Sequence, residues 1–493
     1  MSKTMKIFLL ILAAVFLFAA VGALPANART SSNVNDQSSY SVAADSKTVL
    51  RATPTRKAPP TPRPSPTRKP TIVPPTRLPT ATKIVPPTRM PTATRIVPPT
   101  KVVVPSPTAG AGSFTMAQTL SDGAQLTTLA FDGLAFLTGN PGSDSFFPPG
   151  KVADFWGFQY LRDNDPSGMG HNTDFLTRAS LNMFSILDAS QNAQLITLAK
   201  GQVTAINDYG YKRFVLMSAF RRQLSGSLPS GTTGLSQSAV KSFSADLYQL
   251  DGEISYQRAL VMGSILSNLN TAQKTYLAGM VGKGMTSWPV VAEPDELRGL
   301  SHDEKVAVMT YAGDLFSWYA GSLEADVYFC PERQGTYFGS FYMKDAPAVG
   351  NPGYSIGTNI TADYGNAFIK TLSASQAPTI TNLVTTQKAS LLGIVDVRTA
   401  ISTELRKAMS GVTPDQATVL ALMRTYGELD GEIIYQYATA FSTVNSSLTS
   451  AQSASLTAMR QTLLGSLSLP SSAYLYATPI TYPTVQDTAF LFK

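Results

Sequence analysis

A short phrase occurs four times in this chain, each time with the composition of a helix start. The phrases begin at Leu187 (LDASQ), Leu269 (LNTAQ), Leu372 (LSASQ) and Leu448 (LTSAQ), with a looser form, VTPDQ, at Val412. In each, a Ser, Thr, Asp or Asn stands three residues before a Gln, ahead of a run with helical apolar spacing. Such side chains satisfy the free N–H groups of a first helical turn. Each phrase therefore predicts a helix N-terminus.

The phrases come in two pairs, and the pairs belong to a longer repeat. The segments that start at Gly234 and Gly411 both contain the run LDGEI. A partial third unit is indicated by VQDTAFLF from Val485, which is similar to LAFDGLAFL and TYAGDLFSW near the starts of the two copies. The repeat of about 180 residues has the size of a whole domain and is too long for a solenoid unit. The sequence therefore predicts two sibling domains, copy one at residues 113–288 and copy two at residues 289–493.

Both copies are expected to be helical. Apolar residues recur at intervals of three and four residues in 188–225 and 235–268 of copy one, and in 373–410 and 413–447 of copy two. The predicted fold class is all-α, with two tandem helical-hairpin or bundle domains after a disordered Pro/Thr-rich linker. Two segments rich in Gly, Pro and aromatic residues, 140–174 and 324–360, are expected to form irregular caps or short strands.

The N-terminal region has the composition of an export signal followed by a spacer. Residues 1–28 combine two lysines, an uncharged apolar run and a small-residue cleavage site, which is typical of a signal peptide. An uncleaved membrane anchor is the alternative, because the apolar run is long. Both alternatives predict a secreted or cell-surface, extracytoplasmic protein. Residues 29–112 repeat variants of IVPPTRLPTATK, and their proline content predicts a disordered, extended linker.

Most of the positive charge lies in this linker. Residues 29–110 hold thirteen Lys/Arg and two Asp/Glu, a net of +11, and the signal adds +2, so the whole-chain charge of +7 leaves −6 for the remainder. A basic spacer outside a membrane is attracted to anionic envelope polymers. Nucleic acid is not an expected partner, because the basic residues are not interleaved with aromatic residues. Membrane contact is expected only through the N-terminal segment, if it is uncleaved.

The order of elements resembles that of a known family. LDASQNAQLITLAKGQ from Leu187, the basic helix end FRRQL, a long helix and LNTAQKTYLAGM from Leu269 are similar to the LTxxQ family of Spy and CpxP, extracytoplasmic stress proteins of the bacterial envelope. Copy two repeats the order with LSASQAPTITNLVTTQ, ELRKAM and LTSAQSASLTAMRQ. The resemblance covers roughly half of the folded region, and its motif is largely a capping box. It implies a bent all-α hairpin and, by analogy, ATP-independent binding of protein clients or metal-stress sensing.

The two LDGEI runs place carboxylates beside a glycine in mid-helix. Carboxylates paired in this way could serve acid–base chemistry. The structural interpretation is that the glycine permits a close helix crossing, and that the acids pair with arginines across it. The residues expected to form these structural ion pairs are Asp251, Glu253, Arg213, Arg221, Asp430, Glu432, Arg398 and Arg406.

One loop has the spacing of a calcium site. Asp163, Asp165, Ser167 and Asp174 occupy positions 1, 3, 5 and 12 of the segment from Asp163, with a glycine at position 6. A proline inside the loop and Asp instead of Glu at the last position favour weak binding, and an Asp/Gly/Pro turn is the alternative. Calcium is the only cofactor that the sequence indicates.

Catalytic motifs do not occur in the chain. We find no nucleophile–base arrangement, phosphate loop or dinucleotide fingerprint, and His171 and His302 have no histidine partner at helical spacing. The single cysteine, Cys330, allows no intrachain disulfide. An enzyme is therefore not expected. The expected function is noncovalent binding of protein clients or envelope proteins, chaperone-like or related to envelope stress; the alternative is a surface or cell-wall-associated structural protein without catalytic activity.

Overall fold

The computed structural model of the chain describes most of the region that follows the linker. The described residues are 116–139, 154–156, 173–281, 288–328, 346–348, 351–356, 359–466, 484–485 and 487–493. The predicted signal at 1–28, the linker at 29–112 and most of the predicted calcium loop lie outside them.

The described part is all-α apart from one short hairpin, which confirms the predicted fold class. The helices of copy one are α1 (Met116–Thr119), α2 (Asp122–Thr138), α3 (Thr173–Ile186), α4 (Ala189–Ser225), α5 (Gln237–Ser267) and α6 (Thr271–Met280). Those of copy two are α7 (His302–Ala320), α8 (Leu323–Tyr328), α9 (Asn359–Thr371), α10 (Ala377–Thr381), α11 (Leu383–Thr386), α12 (Lys388–Arg406), α13 (Gln416–Ser447) and α14 (Ser450–Ser466). Strands β1 (Ala346–Ala348) and β2 (Asn351–Ile356) pair antiparallel, and 3-10 turns lie at Asp295–Leu297, Lys407–Ser410 and Ala489–Leu491.

Three of the four phrases start helices as predicted, whereas the phrase at Leu372 forms a turn directly before α10, whose N-cap is Gln376. Asp188 and Asn270 are the N-cap residues of α4 and α6, and each forms a reciprocal capping box with the glutamine three residues later. Ser373 and Thr449 exchange the same two hydrogen bonds with their glutamines. The local hydrogen-bonding capacity of the phrase thus sets where these helices begin.

The looser fifth phrase starts a helix in another way. Helix α13 begins at Gln416, so this glutamine is the first helical residue and Asp415 is the N-cap. The Thr418 hydroxyl donates to the Asp415 carboxylate. This hydrogen bond is the largest of the influences that lower the pKa of Asp415.

The first long helix of copy two is interrupted where that of copy one is continuous. Helix α4 runs for 37 residues, whereas the equivalent stretch is divided into α10, α11 and α12. Asn382 and Gln387, at the breaks, keep right-handed backbone angles with ψ of −20° and −15°. The run APTITNLVTT contains a proline and several β-branched residues, which weaken regular helical geometry. The single helix expected over 373–410 is therefore corrected to a series of helical segments.

The two copies share one hydrophobic core. Leu247 and Ile254 of α5 belong to the same buried cluster as Ile433 and Ile434 of α13. Helices α5 and α13 lie antiparallel against each other. The rings of Tyr248 and Tyr426 meet edge to face there, with 4.5 Å between their centroids. The two copies are thus joined through their interiors, because the apolar faces of α5 and α13 are buried against each other.

The leading helices of the two copies are also exchanged. Helix α2 of copy one packs on α9, α10 and α11 of copy two, and α7 of copy two packs on α3 and α4 of copy one. The residues of α2 from Ala124 to Phe136 are almost all buried, so this helix needs apolar neighbours on several sides. None of the described helices is both long enough and apolar enough to cross a membrane.

Candidate functional site

Both LDGEI runs lie at the crossing of α5 and α13, where each faces a different segment of the partner helix. A Cβ atom on Gly431 would lie 2.8 Å from the Cα of Lys241 and 3.0 Å from the Cβ of Ser244. A Cβ on Gly252 would lie 3.0 Å from the Cβ of Met423. Such distances are below ordinary van der Waals contact, so both glycines permit the close approach of the helices. This part of the structural interpretation is confirmed.

One buried ion pair crosses from copy one to copy two. The Arg213 guanidinium on α4 contacts the Asp430 carboxylate on α13 at 2.9 Å, and both side chains are fully buried. The Ser244 hydroxyl donates a further hydrogen bond to the same carboxylate oxygen at 3.2 Å. The pair thus joins three helices, α4, α5 and α13.

Asp251, the equivalent acid of copy one, has different partners. Its carboxylate accepts the backbone N–H of Phe155 at 2.6 Å and the Ser255 hydroxyl at 3.0 Å. The nearby arginine is Arg258, two helical turns further along the same face of α5, where copy two has Tyr437. Arg258 contacts Asp154 at 2.7 Å and Asp314 at 3.8 Å.

Three carboxylates therefore surround one guanidinium in the core. Asp154, Asp251, Asp314 and Arg258 are each at most 2% exposed. Burial, followed by the neighbouring Asp154 carboxylate, raises the pKa of Asp251 well above its usual range, although Arg258 and the two hydrogen bonds act in the opposite direction. Burial likewise raises the pKa of Tyr311, whose ring lies 4.0 Å from the Arg258 guanidinium carbon. This buried centre can hold a proton, but its exposure is too small for its groups to meet a dissolved substrate.

The remaining arginines have partners other than the LDGEI acids. Arg406 binds both carboxylate oxygens of Asp326, at 2.5 and 2.8 Å. Arg398 donates to the Val327 carbonyl at 3.2 Å and lies 4.4 Å from the Phe155 ring centroid. Asp326 and Val327 both lie in α8 of copy two, whereas Phe155 belongs to copy one. Ion pairs between these two arginines and the acids of the LDGEI runs were expected, and the contacts of Arg398 and Arg406 correct that expectation.

Arg221 and the two glutamates complete the predicted set. Arg221 donates to the Phe136 carbonyl at 2.9 Å and covers the ring of the same residue at 4.5 Å. Glu432 pairs with Lys241 of α5, while Glu253 is exposed. Asp154, Asp314 and Asp326 were missed by sequence reasoning, because nothing in their local sequence indicates an arginine partner.

The glutamines of the phrases have a second role that the capping pattern does not predict. Gln273 donates from its amide nitrogen to the Gln191 side-chain oxygen at 2.7 Å and to the Ile186 carbonyl at 2.8 Å. In copy two, Gln452 donates to Gln376 at 2.7 Å. Each pair of phrases therefore meets in space, and the two capping boxes of a copy are joined through their glutamines.

The predicted calcium loop falls largely outside the described residues. Asp163, Asp165 and Ser167 are not described, and Asp174 is described only as a backbone position in α3. Within the described part of the chain, no three His, Cys, Asp or Glu side chains are grouped so that they could hold a metal ion. Calcium binding stays a prediction.

Comparison of the chain with protein-family models, with curated proteins and with solved structures found no match. The resemblance to the LTxxQ family therefore rests on the motifs in the sequence.

Proposed function

We propose that this chain is an exported structural protein of a cell surface or wall, in which the Pro/Thr-rich linker carries a rigid helical head. The observation that carries the proposal is the crossing of α5 and α13, where Gly252 and Gly431 bring the two homologous apolar faces into contact. A module of the Spy type would need such a face exposed to bind clients. Here the faces are used to join the two copies.

The described surface also favours a structural function over client binding. Its exposed large apolar residues are scattered over different elements and loops: Tyr211, Val281, Val290, Leu392, Val412 and Phe490. Single exposed apolar residues are ordinary on soluble proteins, whereas a docking surface for unfolded chains needs a continuous patch. Client binding is therefore the less supported of the two functions that the sequence suggests.

In this proposal, the linker attaches the protein to the cell envelope. Its net charge of +11 over residues 29–110 is opposite in sign to anionic envelope polymers. An exposed, extended basic segment binds such polymers through electrostatic attraction that salt weakens. In this proposal the helical head contributes stiffness, because its buried ion pairs and shared core hold the copies together.

Two measurements test the proposal. In the first, the purified exported chain is added to a denatured client protein, and aggregation is followed by light scattering without ATP. Unchanged scattering at molar excess of the chain is expected, and suppression would overturn the structural function in favour of the chaperone-like one.

In the second, the chain is incubated with isolated cell-envelope material over a series of salt concentrations. The wild-type chain should sediment at low salt and be released at high salt. A variant with the Lys and Arg residues of 72–101 replaced by Gln keeps the proline content and should stay in solution. Equal sedimentation of both chains would contradict the role assigned to the linker.

A further inference from the structure

A segment that resembles the start of a third unit is docked on the turn between α4 and α5. We call Val485 and residues 487–493 the docked segment, and residues 226–236 the copy-one corner. Ser236 N–H donates to the Leu491 carbonyl at 2.8 Å, Lys493 N–H to the Gly234 carbonyl at 2.9 Å, and Thr233 N–H to the Lys493 carbonyl at 2.6 Å. The docked segment thus forms an isolated antiparallel β-bridge with the corner, Phe492 opposite Leu235, and such backbone pairing is a recurrent mode of peptide recognition.

Side chains complete the contact. Leu491 is fully buried, and the Phe490 ring lies 5.5 Å from that of Phe243 on α5. Arg222, near the end of α4, donates to the Thr488 hydroxyl at 2.9 Å and lies 5.5 Å from the Phe492 ring. Val485 packs against Phe214 and Met217, a pair that forms a separate small apolar cluster.

The corner that receives the segment is specific to copy one. Between the first long helix and the second, copy one has eleven residues, 226–236, where copy two has the 3-10 turn at Lys407–Ser410 and then five residues, 411–415. Thr233, Gly234 and Ser236 of the longer corner supply the N–H and carbonyl groups that pair with the docked segment. In copy two, Val412 at the shorter corner is 54% exposed. The site is therefore built by an insertion.

These hydrogen bonds and ring contacts connect the docked segment to residues far away in the sequence. Residues 467–484 connect the docked segment to α14. A fully extended chain of this length spans at most roughly 60 Å, which is the upper limit on the distance between α14 and a corner that the segment can reach. Since every copy of the protein carries the same segment and the same corner, the segment of one molecule fits the corner of another with the same contacts. Precedent exists inside the chain, because α2 and α7 each dock on the copy to which they do not belong.

We propose that the copy-one corner binds the docked segment of a second molecule of this chain, so that neighbouring molecules exchange this segment and assemble. The inference rests on the proposed surface function, because attachment through the linker concentrates the molecules. The exchanged and internal forms have identical contacts, so their ratio depends on the local protein concentration relative to the effective concentration within one molecule, which is on the order of millimolar for short connections. Exchange of identical segments is a low-cost route to oligomers.

Disulfide capture between two differently sized full-length chains tests the exchange. Both chains carry Cys330→Ser; the first also carries Thr233→Cys and the second Lys493→Cys. A disulfide between the two chains requires that the segment of the second chain reach the corner of the first. We expect a mixed dimer whose yield rises with protein concentration up to about 1 mM, the range of the effective concentration.

Leu491→Asp provides a directional control. In the second chain it should abolish the mixed dimer, because the segment can no longer dock. In the first chain it should raise the yield, because the corner is then vacated. A first chain with Thr413→Cys in place of Thr233→Cys, at the shorter corner, reports random collision and should give no dimer above background.

Two results would overturn the proposal. One is a mixed dimer that Leu491→Asp in the second chain does not reduce. The other is the absence of a mixed dimer up to about 1 mM. This result counts only if a single chain that carries both Thr233→Cys and Lys493→Cys forms the disulfide within itself, which shows that the geometry is suitable. Failure of the surface function is recognised separately, by suppression of client aggregation in the scattering assay.

Discussion

Arg213 of copy one and Asp430 of copy two form a fully buried ion pair across the repeat, with 2.9 Å between the guanidinium nitrogen and the carboxylate oxygen. Each residue has an equivalent in the other copy, yet those equivalents, Arg398 and Asp251, have other partners. The repeat therefore supplies similar helices, while the buried charges distinguish one copy from the other.

Removal of one member of this pair should be strongly destabilising. Asp430→Asn leaves the Arg213 charge buried, and we expect the free energy of unfolding to fall by about 3–5 kcal/mol. The double substitution Arg213→Met with Asp430→Leu removes both charges and should recover most of the loss. Denaturant unfolding of the wild type, Arg213→Met, Asp430→Leu and the double variant gives the coupling energy between the two side chains. Additive losses in the double variant would contradict a direct interaction.

Asp251→Asn should have the opposite effect at neutral pH. Because burial and Asp154 raise the pKa of Asp251 in the folded state, the fold binds a proton that the unfolded chain releases near its usual pKa of about 3.9. This carboxyl therefore lowers the stability progressively as the pH rises from that value toward the folded-state pKa. Asp251→Asn should lack this part of the decline. Its free energy of unfolding at pH 7 should therefore equal or exceed that of the wild type.

The comparison is made by unfolding both proteins between pH 4 and 8, with Asp430→Asn as the matched variant from copy two. Asp430→Asn should be less stable than the wild type throughout this range, because it leaves the Arg213 charge buried. A difference between wild type and Asp251→Asn that does not vary with pH would show that Asp251 binds no additional proton in the fold.

Gln273→Glu separates capping from the contact between glutamines. Glutamate still accepts the N-cap N–H in a capping box. It cannot donate to the Gln191 oxygen or the Ile186 carbonyl, which would then face a buried carboxylate. We expect a loss of about 1–3 kcal/mol in the free energy of unfolding. The converse change, Glu304→Gln in the exposed box at Ser301, should alter stability by less than about 0.5 kcal/mol.

Gly427→Ala tests the close approach of α5 and α13. Its Cβ would lie 2.4 Å from the Ser244 carbonyl oxygen and 2.8 Å from the Ala245 Cα. Since backbone atoms cannot move aside cheaply, we expect a loss of about 1–3 kcal/mol. Gly201→Ala in α4, where a Cβ would have no neighbour within 4 Å, should stabilise the protein by about 0.5–1 kcal/mol. Thermal unfolding followed by circular dichroism measures both, and equal effects would contradict the crossing geometry.

The local parts of this structure could be predicted, and the partners of the buried charges could not. Ser373 and Asp188 stand three residues before a glutamine, and that spacing alone indicates a capping box. Glycine beside acids in mid-helix indicated the close crossing at Gly252 and Gly431. The acids around Arg258 come from the segment at Asp154 and from Asp314 on α7, and no local pattern connects positions so far apart.

The sequence by itself determined that the chain is helical, where its repeated helices begin and which glycines lie at a crossing. Those properties depend on hydrogen bonds and side-chain spacing within a few residues. Only the tertiary structure decided that both copies share one core, that α2 and α7 are exchanged, and that Arg213 binds Asp430. An amphipathic pattern establishes that a helix face is buried, but several faces of similar shape compete for it, and long-range packing and charge complementarity select one.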